Sequence, residues 1–110
     1  MTFEHVKADA LELFRRVSPV LEALGDRNRQ EILLVLGEHQ RLNVGQIAAR
    51  SPLSRPAVSH HLKVLLAAGL VTVEREGTEN FYVINAVEKL GDVKALINLV
   101  EQLCAMQHQG

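Results

Sequence analysis

The 110-residue sequence has little of what several classes of protein require. Cys104 is its single cysteine, which excludes a disulfide or a cysteine-pair metal site within one chain. Tryptophan is absent, and aromatic residues make up 4% of the chain. No apolar run reaches about eighteen residues, and the N-terminus carries acidic residues where a signal peptide has a basic flank. We therefore expect a cytoplasmic chain with no membrane partner, stabilised by aliphatic packing.

The residues that are present describe an ordinary globular domain. Hydrophobic residues make up 47% and charged residues 23% of the chain, and no repeat or linker interrupts residues 1–110, which predicts a single domain. The net charge is only -1, but the segment from Arg41 to Arg75 contains five basic residues and a single acidic one, Glu74. Such a local excess suits a polyanionic partner. It is equally typical of a solvated surface.

The first third of the chain is predicted to be helical. Apolar residues recur at helical spacing over residues 3–17. Ser18 followed by Pro19 predicts the start of a second, short helix that ends at Gly25. Asp26 is expected to cap the helix that follows.

A helix-turn-helix is predicted over residues 43–68. Asn43 with Gln46 three residues later resembles a capping box at the start of its first helix. After the turn RSPLS, Ser54 can cap the second helix, and Pro56 is tolerated in the first turn because the backbone donors there have no helical partners.

A hairpin and a final helix follow. The β-rich runs LVTVER and NFYVIN, separated by EGTE, predict a β-hairpin over residues 70–84. Asn85 and Glu88 resemble a capping pair for a last helix over residues 86–107. The expected fold is mainly α with a β-hairpin, in the order α-α-α-α-α-β-β-α, which is a winged helix-turn-helix.

The helix predicted from Arg55 to Ala68 has two unlike faces. One is an apolar stripe that must face the core, formed by Val58, Leu62, Leu65 and Leu66. The opposite face is small, polar and basic, and consists of Pro56, Ser59, His60 and Lys63, with Arg55 and Ala57 at its leading end. Small residues let a helix approach a major groove, its N-terminus attracts phosphate, and its donors reach base edges. An amphipathic helix with a water-facing side is the other interpretation.

Three stretches carry a resemblance to a known family: LEALGDRNRQEILLVL, NVGQIAARSPLSRPAVSHHLKVLLAAGLVTVEREG and FYVI, roughly Val20 to Ile84. In them the chain resembles the ArsR/SmtB family of bacterial winged-helix repressors. The resemblance implies a transcriptional repressor that binds double-stranded DNA and is released by an inducer. It places the DNA-reading helix at residues 55–68 and the wing at residues 75–80. The implied DNA-contacting residues are Arg50, Ser54, Arg55, Pro56, Ala57, Ser59, His60, Lys63, Arg75 and Thr78.

The resemblance also implies a homodimer formed by the first and last helices, residues 1–17 and 86–107. Both segments have a broad apolar face that one small domain is unsuited to cover alone. A twofold dimer would read a palindromic operator. The expected interface residues are Phe3, Val6, Ala10, Phe14, Val93, Leu96, Ile97, Val100 and Leu103.

The adjacent histidines are interpreted separately. His60 lies on the outer face and is expected to contact DNA, whereas His61 borders the apolar stripe and is expected to pack or form a local bond. Adjacent helical residues point about 100° apart, which argues against metal binding by the pair.

No metal and no cofactor is predicted. Metal-sensing relatives carry paired cysteines where this chain has residues 42–46, which contain none. The last helix offers Glu88, Asp92 and Glu101 but only one histidine, His108. The inducer is therefore left open, as is a sensing role for Cys104 or for His5, His39 and His108.

The predicted wing departs from the family. Glu76 and Glu79 flank Gly77 and Thr78 where many relatives carry arginines. We expect weak attachment of the wing to phosphate, and hence a shallow dependence of DNA affinity on salt.

Two other functions are compatible with parts of this sequence. A winged helix could bind an acidic protein through the outer face of the Arg55 helix, but Ser59 and His60 suit base edges better than a protein interface, which favours aromatic residues. An enzyme is not expected, because no third polar group positions Ser59 and His60 and no phosphate loop or carboxylate pair is present.

Overall fold

The computed structural model describes residues 2–108, so Met1, Gln109 and Gly110 of the predicted 1–110 domain lie outside the described residues. No helix in this range is long and apolar enough to cross a membrane. The order of elements confirms the mainly α architecture with an antiparallel hairpin. The elements are α1 (Phe3–Leu24), α2 (Arg27–Glu38), α3 (Val44–Ala49), α4 (Arg55–Ala67), β1 (Val71–Glu76), β2 (Glu79–Ile84) and α5 (Val87–Gln107).

The prediction of two helices within residues 3–25 is wrong. α1 is continuous through Ser18 and Pro19, so the order is α-α-α-α-β-β-α rather than α-α-α-α-α-β-β-α. Proline inside a helix costs about 3 kcal/mol. Val17 and Val20 on either side of Pro19 are fully buried, and burial of one valine contributes about 1.5–3 kcal/mol. Packing therefore outweighs the local preference for a break.

The core lies where α2, α3, α4 and the start of β1 meet. Val58, Leu62 and Leu65 of α4 are fully buried, as the apolar stripe predicts, while Leu66 is only partly buried. Ile32 from α2 and Ile47 from α3 complete the centre of this cluster. Because these contacts fix the inner face of α4, its outer face is left to solvent.

Three predicted helix caps are confirmed. The Asp26 carboxylate accepts a hydrogen bond from a backbone N–H at the start of α2, and Ser54 Oγ does the same for α4. Asn43 and Gln46 form the reciprocal capping box at the start of α3, with bonds of 2.8 Å and 2.9 Å. These local bonds determine where the helix-turn-helix begins.

The predicted cap of the last helix is wrong. α5 begins after Ala86 without a side-chain cap. Asn85 instead donates its backbone N–H to the carbonyl of Leu70 at 3.1 Å, which joins the end of the hairpin to its beginning. This backbone bond takes Asn85 out of the capping position.

The hairpin is paired up to a two-residue turn. The register runs from Val71 opposite Ile84 to Glu76 opposite Glu79, so the turn is Gly77-Thr78 rather than four residues long. Gly77 has φ +62, a value that glycine adopts without strain. Beyond the hairpin, Leu42 and Tyr82 exchange backbone hydrogen bonds of 3.3 Å and 2.8 Å, which attach β2 to the segment before α3.

The terminal helices α1 and α5 pack against each other within the chain. Val6, Ala10 and Leu96 have exposures of only 1%, 4% and 6%. The prediction that these three contact a partner is corrected, because their side chains are already buried in a single chain. A salt bridge between Arg16 and Asp92 ties the two helices together at their edge.

Candidate nucleic-acid interface

The outer face of α4 is largely open to solvent. Arg55, Pro56, His60 and Lys63 are exposed, and Ala57 and Ser59 between them are half-buried. Small residues near the start of the helix therefore leave its backbone close to the surface, while the longer cationic and imidazole side chains extend beyond it. This shape suits insertion of the helix into a major groove.

The N-terminus of α4 retains donors for an anion. Ser54 Oγ accepts a hydrogen bond from the N–H of Ala57 at 3.3 Å, which leaves the hydroxyl proton of Ser54 available. Pro56 has no N–H and that of Ala57 is bonded to Ser54, so the N–H groups of Ser54 and Arg55 are the ones without a helical acceptor. Together with the helix dipole, these groups suit a phosphate oxygen.

Arg50 lies at the end of α3, directly before the turn. Its Nη1 donates to the carbonyl of Gln46 at 2.9 Å, so the side chain folds back over its own helix. The remaining guanidinium donors of Arg50 are exposed, as expected for a residue that contacts the DNA backbone.

The start of α4 and the tip of the hairpin border one cleft. Its volume is about 510 Å³, and it brings together the predicted residues Arg55 and Thr78. The start of α3 and the tip of the hairpin also line it. The other lining residues are Asn43, Val44, Gly45, Gln46, Glu79, Asn80 and Tyr82.

The two histidines of α4 have different surroundings. His60 is exposed, whereas Nδ1 of His61 lies 3.3 Å from Nη1 of Arg29. Arg29 also donates from Nε to the carbonyl of Ala23 at 2.9 Å. The prediction of a local bond for His61 is corrected, because its partner lies on α2, and the contact attaches α4 to the junction of α1 and α2. Sequence reasoning missed Arg29, because its partner lies 32 residues away.

The hairpin tip carries more internal bonds than its sequence suggests. Glu76 forms a salt bridge with Arg41, whose guanidinium lies 4.2 Å from the ring centroid of Phe81. Arg75 donates from Nε to the carbonyl of Gly77 at 3.2 Å. Because Glu76 neutralises Arg41, the positive surface around α4 is narrower than the count from Arg41 to Arg75 indicates.

Asp26 has a perturbed pKa. A hydrogen bond from the backbone N–H of Arg29 lowers the pKa of its carboxyl below the ordinary value, and the charge of the Arg29 guanidinium acts in the same direction. Asp26 thus stays ionised beside the cationic junction that supports α4. Asp26 therefore supports the DNA-facing helix indirectly, by capping the helix that holds Arg29.

Metal-ligating side chains are scattered. No group of three or more His, Cys, Asp or Glu residues within residues 2–108 is placed to hold a metal ion. Cys104 is exposed on α5 instead of packing in the core.

Comparisons with known proteins agree with this geometry. Residues 26–73 match the profile of the bacterial regulatory protein, arsR family. An uncharacterised HTH-type transcriptional regulator of Methanocaldococcus jannaschii is 36% identical over 94 residues, which cover 84% of this chain and 100% of that protein. The arsenical resistance operon repressor of Bacillus subtilis is 33% identical over 95 residues, covering 86% of this chain and 85% of the repressor.

Solved structures show the same relationship. An ArsR-like transcriptional regulator from Rhodococcus sp. RHA1 superposes with a TM-score of 0.76 and 30% identity, covering 86% of this chain and 88% of that one. A homodimeric winged helix-turn-helix DNA-binding domain from Mycobacterium bovis gives a TM-score of 0.65 and 27% identity over 91% of this chain and 87% of that one. The chain is thus a transcriptional regulator with a DNA-binding winged helix-turn-helix, and it belongs to the ArsR family of bacterial regulatory proteins.

Proposed function

We propose that this chain is a homodimeric repressor that acts in the cytoplasm, binds a palindromic operator and is released by an inducer. The observation that carries the proposal is the uncovered outer face of α4, which starts at a capped N-terminus beside the hairpin tip. Residues 43–68 serve as the DNA-reading unit, residues 70–84 as the wing, and the terminal helices as the dimerisation unit. The chain is not an enzyme in this proposal, in line with relatives that are transcriptional regulators.

Each proposed DNA contact has a distinct role. Ser54 and Arg50 bind phosphate at the entry to the groove, and Arg75 and Thr78 bind it at the wing. His60 and Lys63 extend far enough from α4 to reach base edges or the opposite strand. Arg55 lies between both sets, at the mouth of the cleft. The small residues Pro56, Ala57 and Ser59 let the helix approach the bases.

The shape of the chain supports a dimer. Its radius of gyration is 17.5 Å and its longest dimension 59 Å, whereas a compact domain of this length has a radius of gyration of about 13 Å. Four of the predicted interface residues are exposed to solvent by about half, namely Phe3, Phe14, Ile97 and Val100. Val93 and Leu103 are partly buried beside them. Such exposure of large apolar side chains is expected where a second copy packs.

A twofold dimer would double the small DNA interface of one copy and so increase its specificity for an operator. Two α4 helices related by a twofold axis can enter successive major grooves about 34 Å apart. Each copy then reads one half-site, and the two half-sites together form a palindrome. The regulator of M. bovis described as homodimeric supports this arrangement by similarity.

The test is operator binding by charge-matched variants. Sites bound by the purified protein are first located by genomic footprinting. We expect Arg55→Ala and His60→Ala each to weaken operator binding about 5–100-fold, because one lost base or phosphate contact costs about 1–3 kcal/mol. Arg27→Ala, which removes an exposed charge from α2, is the matched control and should bind nearly as the parent protein does. Unchanged binding by Arg55→Ala and His60→Ala together would refute the proposed interface.

A further inference from the structure

The wing tip holds two glutamates that face the same way. Glu76 and Glu79 are directly opposite each other at the end of the hairpin, so their side chains lie on one face of the ladder. Like charges at such positions repel each other. Arg75 and Asn80, the next pair, lie on the other face.

The two glutamates differ in how their charge is compensated. Glu76 is paired with Arg41. Glu79 makes no salt bridge within residues 2–108, and Oε1 accepts only a long bond of 3.4 Å from Nδ2 of Asn43. The carboxylate of Glu79 therefore remains a net negative charge and an accessible acceptor at the wing tip.

Glu79 lies beside the start of the reading helix. It lines the same cleft as Arg55, at the N-terminus of α4. With α4 in a major groove, as the proposed function requires, the tip of the hairpin is the part of the chain that we place at the neighbouring minor groove. The inference rests on the proposed function in this respect.

A carboxylate in the minor groove should interact differently with A·T pairs and with G·C pairs. A·T pairs present only acceptors there, whereas G·C pairs add the N2 amino group of guanine as a donor. Runs of A·T also narrow the groove and strengthen its negative potential, which attracts arginine. The same negative potential of an A·T-rich minor groove repels a carboxylate. Arg75 is the cation nearest in sequence, but it is bonded to the turn carbonyl of Gly77.

We propose that Glu79 is a specificity-determining residue that reads the minor groove flanking each half-site. Its carboxylate disfavours A·T-rich flanks and favours flanks containing G·C pairs. The protein would therefore choose among operators with equal major-groove sites according to base pairs that α4 does not touch.

The first experiment is selection from a library of randomised duplexes, followed by binding to one selected site with altered flanks. Three flanks are compared: G·C pairs, A·T pairs, and inosine·cytosine pairs, which keep the major-groove edge of G·C but lack the N2 amino group. We expect the G·C flank to bind roughly fivefold or more tightly than the A·T flank, since a mismatched pair typically costs about 1–3 kcal/mol. The inosine flank should bind as weakly as the A·T flank. If it binds as well as G·C, the minor-groove reading is wrong.

Variants assign the preference to one side chain. Glu79→Gln should reduce the preference for G·C flanks, and Glu79→Arg should reverse it in favour of A·T, while both keep the circular dichroism spectrum of the parent. Glu38→Gln, which removes an exposed carboxylate from α2, is the matched control and should retain the full preference. A preference that survives Glu79→Arg overturns the proposal.

The outcomes separate this inference from the proposed function. Selection that enriches a palindromic site with indifferent or A·T-rich flanks leaves operator binding intact and refutes the role of Glu79. Selection that enriches no site refutes the proposed function itself, and the role of Glu79 with it.

Discussion

At the scale of single residues, several side chains serve the fold and the interface at once. Ser54 is the clearest example, because its oxygen caps α4 while its hydroxyl proton is left to donate to another acceptor. Such local roles could be predicted from sequence, as the caps by Asp26, Asn43 and Ser54 show. The bonds of Arg29 to His61 and of Arg41 to Glu76 could not, because each joins residues more than thirty positions apart and depends on how the helices pack.

Substitutions of Ser54 should separate stability from DNA binding. Ser54→Asp retains a good cap, so its free energy of unfolding should stay within about 0.5 kcal/mol of the parent, whereas Ser54→Ala should lose about 1 kcal/mol. The new carboxylate would meet phosphate, so Ser54→Asp should weaken operator binding about tenfold or more. Urea denaturation and fluorescence anisotropy measure the two effects. Normal operator affinity in Ser54→Asp would contradict the phosphate contact.

Asp26 should make stability depend on pH. Since its pKa is lower in the folded chain, the contribution of Asp26 is complete above the pKa of the unfolded chain, about 3.9, and is lost as the pH falls through the folded value. Asp26→Asn can still cap the helix but does not titrate. We expect the stability advantage of the parent over Asp26→Asn to shrink between pH 5 and pH 2, as measured by urea denaturation at each pH. A difference that is independent of pH would contradict the assignment.

At the scale of elements, the sequence predicts the helix-turn-helix and hairpin well but is wrong about one helix break and one helix cap. Strong capping signals and a positive-φ glycine determine α3, α4 and the hairpin turn by local chemistry. The break predicted at Pro19 fails because burial of Val17 and Val20 is a tertiary effect. Likewise, Asn85 is taken into a backbone bond with Leu70, which lies on the far side of the hairpin.

The continuity of α1 gives a prediction about Pro19. Proline cannot donate to the carbonyl of Arg15, and its side chain is exposed, so alanine would restore a helical bond without disturbing the core. We expect Pro19→Ala to increase the free energy of unfolding by about 1–3 kcal/mol. Thermal and urea denaturation measure this change, with Ala8→Gly as the opposite control in the same helix. A loss of stability in Pro19→Ala would mean that the proline relieves strain in α1.

At the scale of the whole molecule, the chain is elongated and its terminal helices expose large apolar side chains. The sequence predicts the terminal faces correctly as apolar, but it cannot show that α1 and α5 of one chain bury Val6, Ala10 and Leu96 against each other. Which apolar residues of α1 and α5 are buried and which stay exposed depends on how each helix is rotated about its axis. The spacing of apolar residues in the sequence does not determine that rotation. The outer residues that remain exposed are the ones to test.

Charge on this outer surface should prevent dimer formation. Phe14→Glu and Ile97→Glu each place a carboxylate in the proposed interface, where it would be buried without a partner, so the dimer should dissociate at micromolar concentration. Sedimentation equilibrium measures the mass. Leu34→Glu is the matched control, since Leu34 is 71% exposed on α2, outside the terminal helices, and this variant should stay dimeric. A monomeric parent protein would contradict the dimer itself.

The acidic wing should make binding weakly dependent on salt. The logarithm of the affinity falls by about 0.9 per tenfold increase in salt for each phosphate contacted. Replacing Glu76 and Glu79 together with arginine should steepen the slope by about that amount for each new contact, and it also releases Arg41 from its ion pair. Operator titration at several salt concentrations measures the slope. An unchanged slope would show that the wing stays away from the backbone.

The backbone pairing of Leu42 with Tyr82 has a consequence for how the molecule meets a duplex. A hairpin joined only at its ends would lose conformational freedom when it settled on DNA. Here β2 is hydrogen-bonded to the segment that leads into α3 and α4. The hairpin therefore loses this conformational freedom already when the chain folds. The hairpin and the helices α3 and α4 should therefore meet DNA as one unit with a fixed separation. An inducer that rotates the hairpin should also rotate the two helices.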